Sequence, residues 1–566
     1  MKINASLGAL AALLLAVPAV AQAPRGEHPL RHPPRPTTTA INAADAMTRV
    51  YVLADDSMMG REAGTRGNVM GTDYIAGEAR RLGLEPAGDN GTFFQTIPLV
   101  QRGVDPAAAL TVDGQRLAVG TDFVLLPSVP GAFTFAERLA ANGAQVVYGG
   151  RIGEPNLISP EQAAGKLVVF APPLVNGQPS WRFFMAAPLT GYASAAGVAI
   201  ASLDVTPEGA RGFLSSTQLM LSRGPQGPVA APAGVLLTAA AAEKLMGRPL
   251  AGLEVGAAGK TVSGTAAFAE TPVAHPARNV VGILRGTDPR LRAQYVAIGA
   301  HNDHDGVSRT AVDHDSLRAF NSVLRPEGAD QQPDTPNAVT SARVRARLDS
   351  LRAVRPVRLD SIFNGADDDA SGTTAVLEIA EYLAANRPKR SVIFVWHTAE
   401  EKGLLGSEHF TDHPTVPRDS IVAQLNIDMV GRGKPGDTEH GGPGYLELVG
   451  SRRLSTQLGD LVEEVNRTGS HGFTFDYSMD ADGHPQNIYC RSDHYSYARY
   501  GIPVTFFTTG GHFDYHMLTD EPQYVDYDKL AAVSRLIADV AKGIGDRPER
   551  PVVDKPKPDP NGQCRQ

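Results

Sequence analysis

Residues able to bind a metal or move a proton recur just after apolar runs in the second half of the chain. His301, Asn302 and Asp303 follow Tyr295 to Ala300, and Gly365-Ala-Asp-Asp-Asp-Ala-Ser-Gly372 carries Asp367, Asp368 and Asp369. Glu400 and Glu401 follow Ser391 to Trp396, and Asp428 closes Leu425-Asn-Ile-Asp428. His512, Asp514, Tyr515 and His516 come after Ile502 to Phe507. Taken singly, each reads as a helix cap or a solvated charge. Taken together, they put imidazole and carboxylate at the end of one apolar run after another. Carboxylates crowded in a low-dielectric cleft repel each other unless a cation joins them. Imidazole and carboxylate without thiolate suit zinc in a hydrolytic site, with manganese or cobalt as substitutes. The inventory matches a two-metal hydrolytic centre with one bridging carboxylate.

The elements that must position these residues alternate. The runs preceding them are apolar and β-branched, as buried strands are. Between them, Val376, Ile379, Ala380 and Leu383 mark one face of a helix over 373–386, closed by Pro388. Leu530, Val533, Ile537 and Val540 mark a last amphipathic helix. The pattern predicts an α/β fold with a mostly parallel, mixed sheet sandwiched by helices. Ligands of such sheets bind beyond the carboxyl ends of the strands, where the chemistry-bearing residues fall. The long segment between Gly306 and Phe363, with a charged helix over 342–353, reads as a large loop near them. From Val104 to Glu270, short β runs such as Gln145 to Tyr148 and Leu167 to Phe170 alternate with Gly/Pro turns. This stretch has few His, Asp or Glu residues and reads as an inserted, non-catalytic β-rich domain.

Lys2, the apolar run Leu7 to Val20 and Ala19-Val20-Ala21 form a secretory signal pattern. The expected divisions are a signal peptide at 1–21, a flexible Pro-rich lead at 22–40 and a first catalytic part at 41–107. The insertion at 108–272, the main catalytic part at 273–546 and a disordered Pro- and Lys-rich tail at 547–566 follow. Such a chain is expected to be secreted or periplasmic, without a membrane span. The net charge of −8 is spread along the chain, which argues against nucleic acid as the partner. Cys490 and Cys564 are the only cysteines, so CxxC zinc sites are excluded and a single bridge between them is allowed. No G-x-S-x-G elbow favours a serine hydrolase.

His301-x-Asp303, Asp368-x-x-Ser371-Gly372, Glu400-Glu401-x-Gly403-Leu-Leu-Gly406-Ser407, Asn426-Ile-Asp428-Met429 and Tyr515-His516 form an ordered set. It resembles the di-zinc metallopeptidases that include secreted bacterial leucine aminopeptidases, whose relatives are glutamate carboxypeptidase, the transferrin receptor and glutaminyl cyclase. Gly60 to Thr65 and Pro86 to Asp89 resemble that family's N-terminal lead-in, and the insertion looks like a protease-associated domain. The resemblance implies a phosphorylase/hydrolase-like aminopeptidase fold with two zinc ions per chain. His301 and Asp428 would bind one zinc, Glu401 and His516 the other, and Asp368 would bridge them. The bond from Asp368 to Asp369 falls where the family has a cis peptide. Asp303 would orient His301, and Glu400 would act as general base toward a metal-bridging water. Tyr515 would donate to the oxyanion. Asp493 and His494 lie in what resembles a substrate-facing loop.

The implied activity is release of N-terminal residues from peptides. Carboxypeptidase action on the same scaffold would want arginines converging on the substrate carboxylate, with Arg432, Arg491 and Arg499 as candidates. Glutaminyl cyclisation needs one metal where ligands for two are present. A non-catalytic receptor-like homologue is disfavoured by the intact ligand positions and Glu400.

Overall fold

The computed structural model describes residues 27–128, 134–183, 189–222, 224, 230–434, 436–438 and 441–566. The signal-peptide expectation at 1–21 lies outside the described residues.

The apolar runs become one mixed sheet. Its strands are β1 (Glu85–Pro86), β2 (Phe94–Ile97), β3 (Ala277–Leu284), β4 (Tyr295–His301), β5 (Ser391–His397), β6 (Ile421–Ile427), β7 (Tyr445–Val449), β8 (Thr474–Asp476) and β9 (Val504–Thr508). Their order is β1-β3-β5-β4-β6-β9-β7-β8, with β2 also paired to β3. The centre, β5-β4-β6-β9, is parallel, while β3 runs antiparallel to β5 and β7 antiparallel to β9. The four central strands are buried along their whole length, which explains why they read as unbroken apolar runs rather than alternating ones.

Register brings the strand ends level. His301 lies beside His397, Gly299 beside Asn426, and Asn426 beside Phe506. The residues following each strand therefore emerge at one edge.

Helices α1 (Ala43–Leu53), α2 (Arg66–Arg81), α3 (Ala370–Ala385) and α4 (Tyr527–Asp546) cover one face. Val50, Val376, Ile379, Leu383, Leu530, Val533 and Ile537 join Val296, Ile298, Trp396 and Leu425 in its core. On the other face, Val281, Ile393, Val395, Tyr497, Val504 and Phe506 form a second core. Helix α3 begins ahead of the predicted start because Asp369 caps it, accepting the Gly372 N–H at 2.8 Å. A Cβ at Gly372 would sit 2.3 Å from the Ile427 carbonyl oxygen, so the helix start can press against β6 only with glycine there.

A separate ten-stranded sheet with its own cores forms the insertion. It already includes Leu99–Val104, which pairs with Ala258–Pro272, so the sheet starts ahead of residue 108. No change of composition marks that point. The segment read as a large loop is built: Gly306–Asp313 pairs antiparallel with Leu359–Phe363, and helices His314–Leu324 and Ala338–Arg352 lie between them. Asp315 holds Arg352 at 3.1 Å and Arg355 at 2.8 Å, and Arg358 reaches Glu521 at 2.6 Å.

The tail from Arg547 to Gln566 is not disordered, contrary to its composition. Cys564 is bridged to Cys490 with Cα atoms 5.9 Å apart. Arg390 donates to the carbonyls of Arg547 and Pro548, and Asp554 accepts the Thr456 N–H at 3.0 Å. Polar and covalent ties, not an apolar face, hold it, so hydrophobic patterning carries no trace of its order.

Candidate metal centre

His301, the last residue of β4, is buried and fixed through its backbone. Its N–H donates to Asp369 Oδ2 at 3.1 Å and its carbonyl accepts from Thr373 Oγ1 at 2.6 Å. Its Nε2 points at Asp368 Oδ1, 2.9 Å away, and lies 3.6 Å from Asp428 Oδ1. On the other side of the same carboxylate, His516 Nε2 lies 3.0 Å from Asp368 Oδ2 and 2.9 Å from Glu401 Oε2. Asp368 thus turns one oxygen toward His301 and Asp428, and the other toward His516 and Glu401. Asp367 and Asp369, the competitors for that role in sequence, point elsewhere. Asp367 accepts the Gly431 N–H and faces His512, whereas Asp369 caps α3 and accepts the Met429 N–H. The Asp368–Asp369 peptide is cis.

Backbone conformation adds to the aim of these side chains. Ala399, Met429 and His516 have φ of 56°, 58° and 53°, in the left-handed region that side-chain-bearing residues rarely occupy. One precedes Glu400, one follows Asp428 and one is itself in the cluster; strain of this kind concentrates at functional sites.

The electrostatics are those of carboxylates packed together. Burial first, and then the charges of neighbouring Glu401 and Asp428, push Glu400 well above the ordinary carboxylate range. Burial also pushes Asp303 up to about 7. Against burial, which would raise it, hydrogen bonds from His301 and His516 hold Asp368 well below its ordinary value. Against burial, which would lower it, the charge of Asp428 and the Asp368 hydrogen bond raise His301 well above its ordinary value. The clusters His301/Asp368/Asp428 and Asp305/Glu401/His516 each bring donor atoms within 4.8 Å of one another. With Asp368 shared by geometry, the donor set and spacing fit a pair of divalent cations.

Several residues behind the ligands were not singled out in sequence. Asp305 Oδ2 lies 3.2 Å from His516 Nδ1. Ser492 donates to Asp428 Oδ2 at 2.7 Å and accepts from Asn426 Nδ2 at 2.8 Å. Asp520 Oδ2 accepts the N–H groups of Asp367 and Asp368 at 2.9 and 3.1 Å. Buried Arg61 donates to the carbonyls of Asn364 and Gly365 at 2.7 and 2.9 Å, bracing the turn that delivers Asp368. The Gly60 to Thr65 stretch was the signal for that last contact.

Two of the expected site residues, Asp493 and His494, lie away from the cavity lining, and Asp303 makes a further contact. The Asp303 carboxylate lies 3.8 Å from His301 Nδ1, and the Asp303 backbone carbonyl is nearer, at 3.1 Å. That carboxylate accepts the backbone N–H of Glu400 at 3.1 Å. His494 does not face substrate, because it starts a short helix that turns its ring inward onto Phe506, 4.9 Å between centroids. Burial lowers its pKa to about 3, leaving it neutral. Asp493 is buried, 3.3 Å from His397 Nδ1, and lies outside the cavity lining.

A cavity of 730 Å³ opens onto the cluster, lined by Asp368, Glu400, Asp428, Tyr515 and His516 among others. The segment 306–363 contributes Glu327, Asp330 and Gln331 to its wall. Arg491 also lines it, gripping Asp330 at 2.8 and 3.0 Å and donating to the Tyr515 hydroxyl at 3.1 Å. Arg432 is turned away into a buried pair with Asp514 and Asp520, and Arg499 pairs with Asp412.

Residues 329–541 match the model of Peptidase family M28. Over this segment the chain is similar to the M28 peptidases. The M28 match holds α3, β5, β6, β9 and every candidate ligand except His301. Leucine aminopeptidase 1 of Ajellomyces capsulatus is 32% identical over 199 residues, 33% of this chain and 48% of that protein. An aminopeptidase of Pseudomonas aeruginosa is 40% identical over 89 residues, 15% of this chain and 17% of that protein. The chain thus spans about half the length, or less, of the curated relatives it matches. Among solved structures, the aminopeptidase from Aneurinibacillus sp. strain AM-1 is 18% identical with a TM-score of 0.44, covering 92% of this chain and 97% of that one. Among the described residues, no helix is long and apolar enough to cross a membrane.

Proposed function

We propose that this protein is an M28-type, zinc-dependent aminopeptidase that binds two zinc ions per chain and releases N-terminal residues from peptides. The observation that carries the reading is Asp368, set between His301 and His516 with one oxygen toward each, and with Glu400 lining the same cavity. Relatives named as leucine aminopeptidases and as a probable zinc metalloprotease support the metal and the reaction.

His301 and Asp428 would hold one zinc, Glu401 and His516 the other, with Asp368 bridging. Bound there, zinc supplies Lewis acidity and lowers the pKa of water. Glu400 takes the proton of the attacking water and returns it to the leaving amine. Its own backbone is fixed by Asp303, so the carboxylate stays aimed into the cavity. The Tyr515 hydroxyl accepts from Arg491, which leaves its proton free to donate to the carbonyl oxygen as negative charge develops there.

The cavity wall favours a free amine over a free carboxylate. Glu327 is acidic, Asp330 already occupies Arg491, and Arg432 and Arg499 are turned away into pairs of their own. The Cys490–Cys564 bridge supports an oxidising, extracytoplasmic setting. We assign the insertion the role of a protease-associated domain beside the catalytic unit. The test is hydrolysis of aminoacyl-anilides beside their N-acetylated forms. Turnover of the free-amine set alone supports the reading; turnover only of peptides with a free C-terminus contradicts it.

A further inference from the structure

His304 stands just past the His301-x-Asp303 motif and has no part in the ligand set described above. It is fully buried, and its Nδ1 lies 2.6 Å from Glu401 Oε1. An ionised carboxylate only accepts, so this nitrogen carries the proton and donates it. The other oxygen of Glu401 faces His516 Nε2 at 2.9 Å. The Glu401 carboxylate is therefore divided, one oxygen held by His304 and the other turned toward the partners that would share a metal.

The imidazole is set by packing from all sides. His516 meets its ring edge-on with centroids 5.4 Å apart, and Phe363 does so at 6.5 Å. A Cβ on Gly365 would fall 2.6 Å from the ring, so only glycine in the turn before Asp368 leaves it room. Its Nε2 is buried with no hydrogen-bond partner.

We infer that His304 is a positioning residue of the metal centre: it grips Glu401 Oε1 so that Glu401 binds the second zinc through Oε2 alone. The inference rests on the zinc aminopeptidase reading. Partners of this kind fix a ligand's orientation, and their loss weakens metal binding about 10–100-fold. The effect should fall on the His516/Glu401 side and spare the His301/Asp428 side.

The test is zinc affinity by competition with a chromophoric chelator, on wild type, His304→Ala and His304→Asn. Asparagine restores a donor of similar reach. The expected result is that His304→Ala holds one zinc equivalent as wild type does and the other about 10–100-fold more weakly. His304→Asn should recover most of that loss, and the melting profile of the metal-free proteins shows that each variant is folded. Cobalt substitution adds a second readout, since release of Glu401 to bind through both oxygens changes the visible spectrum of one site. Unchanged affinity for both equivalents in His304→Ala would overturn the role of His304 and leave the zinc reading standing. Equal weakening of both equivalents in a folded variant would overturn it too, by showing a general rather than a directed effect. A wild type that takes up no zinc overturns both.

Discussion

Asp520 Oδ2 accepts the backbone N–H of Asp368 at 3.1 Å, so the carboxylate at the centre of the site is held from behind by another carboxylate. The same residue accepts from Arg432 through its other oxygen, at 2.8 Å. Removing it frees the turn that carries Asp368 and leaves Arg432 with Asp514 alone. Asp520→Ala is expected to lower thermal stability, with loss of one member of a buried pair costing about 3–5 kcal/mol. Zinc affinity should fall about 10–100-fold. Denaturation curves and chelator competition check the two parts separately.

Glu400 has a different kind of task. Its backbone is held by Asp303 and it lines the cavity, while on the proposed reading other side chains would make up the ligand pairs. Glu400→Gln should lower kcat about 10²–10⁴-fold with zinc content unchanged. Turnover of an aminoacyl-anilide, with metal analysis of the same sample, reads both.

Tyr515 is held by Arg491, and Arg491 by Asp330. Tyr515→Phe should lower kcat about 10²–10³-fold with KM little changed, as loss of one oxyanion donor does. Asp330→Ala should give a smaller loss in the same parameter, because it loosens Arg491 without removing the hydroxyl. A change confined to KM would place Tyr515 in substrate binding instead.

A pH effect on stability comes from beneath α1. Arg49 is fully buried and ion-paired with Glu378 and Glu381. Burial pushes Glu378 up from 4.5 to about 7 despite Arg49, and its Oε2 has no hydrogen-bond partner. A carboxyl group whose pKa is raised on folding holds its proton more tightly in the folded state. Its contribution is therefore present below pH 4.5 and is lost as the pH rises through about 7. The shift corresponds to about 3 kcal/mol at most. Glu378→Gln should flatten that part of the profile, with the difference from wild type growing between pH 5 and 7 in urea denaturation.

The Cys490–Cys564 bridge closes a span of 74 residues near the chain end. Loop closure of that length is worth about 4 kcal/mol in the chain-entropy account. Cys564→Ser is expected to lower the melting temperature and to expose the tail beyond Arg547 to proteolysis.

The strand ends were legible because β4, β5, β6 and β9 are buried on both faces and read as unbroken apolar runs with polar residues at their carboxyl ends. In sequence only the motif favours Asp368 over its neighbours; in the structure Asp367 and Asp369 are engaged by backbone N–H groups of the β6 loop and α3. What could not be read was contact between distant segments. Asp305 behind His516, Ser492 behind Asp428 and Asp520 behind Asp368 are unremarkable in their own stretches. His494 was misplaced because a single short helical turn decides whether a side chain faces the cavity or the core.

The most direct test of the central claim is metal content by elemental analysis on zinc-reloaded wild type and Asp368→Ala, read beside aminoacyl-anilide hydrolysis. The account predicts two zinc equivalents and activity in the wild type. In Asp368→Ala it predicts loss of zinc from both sides together with loss of activity, because both share that carboxylate. Wild type that binds no zinc, or an Asp368→Ala variant that keeps both equivalents and full activity, would contradict it.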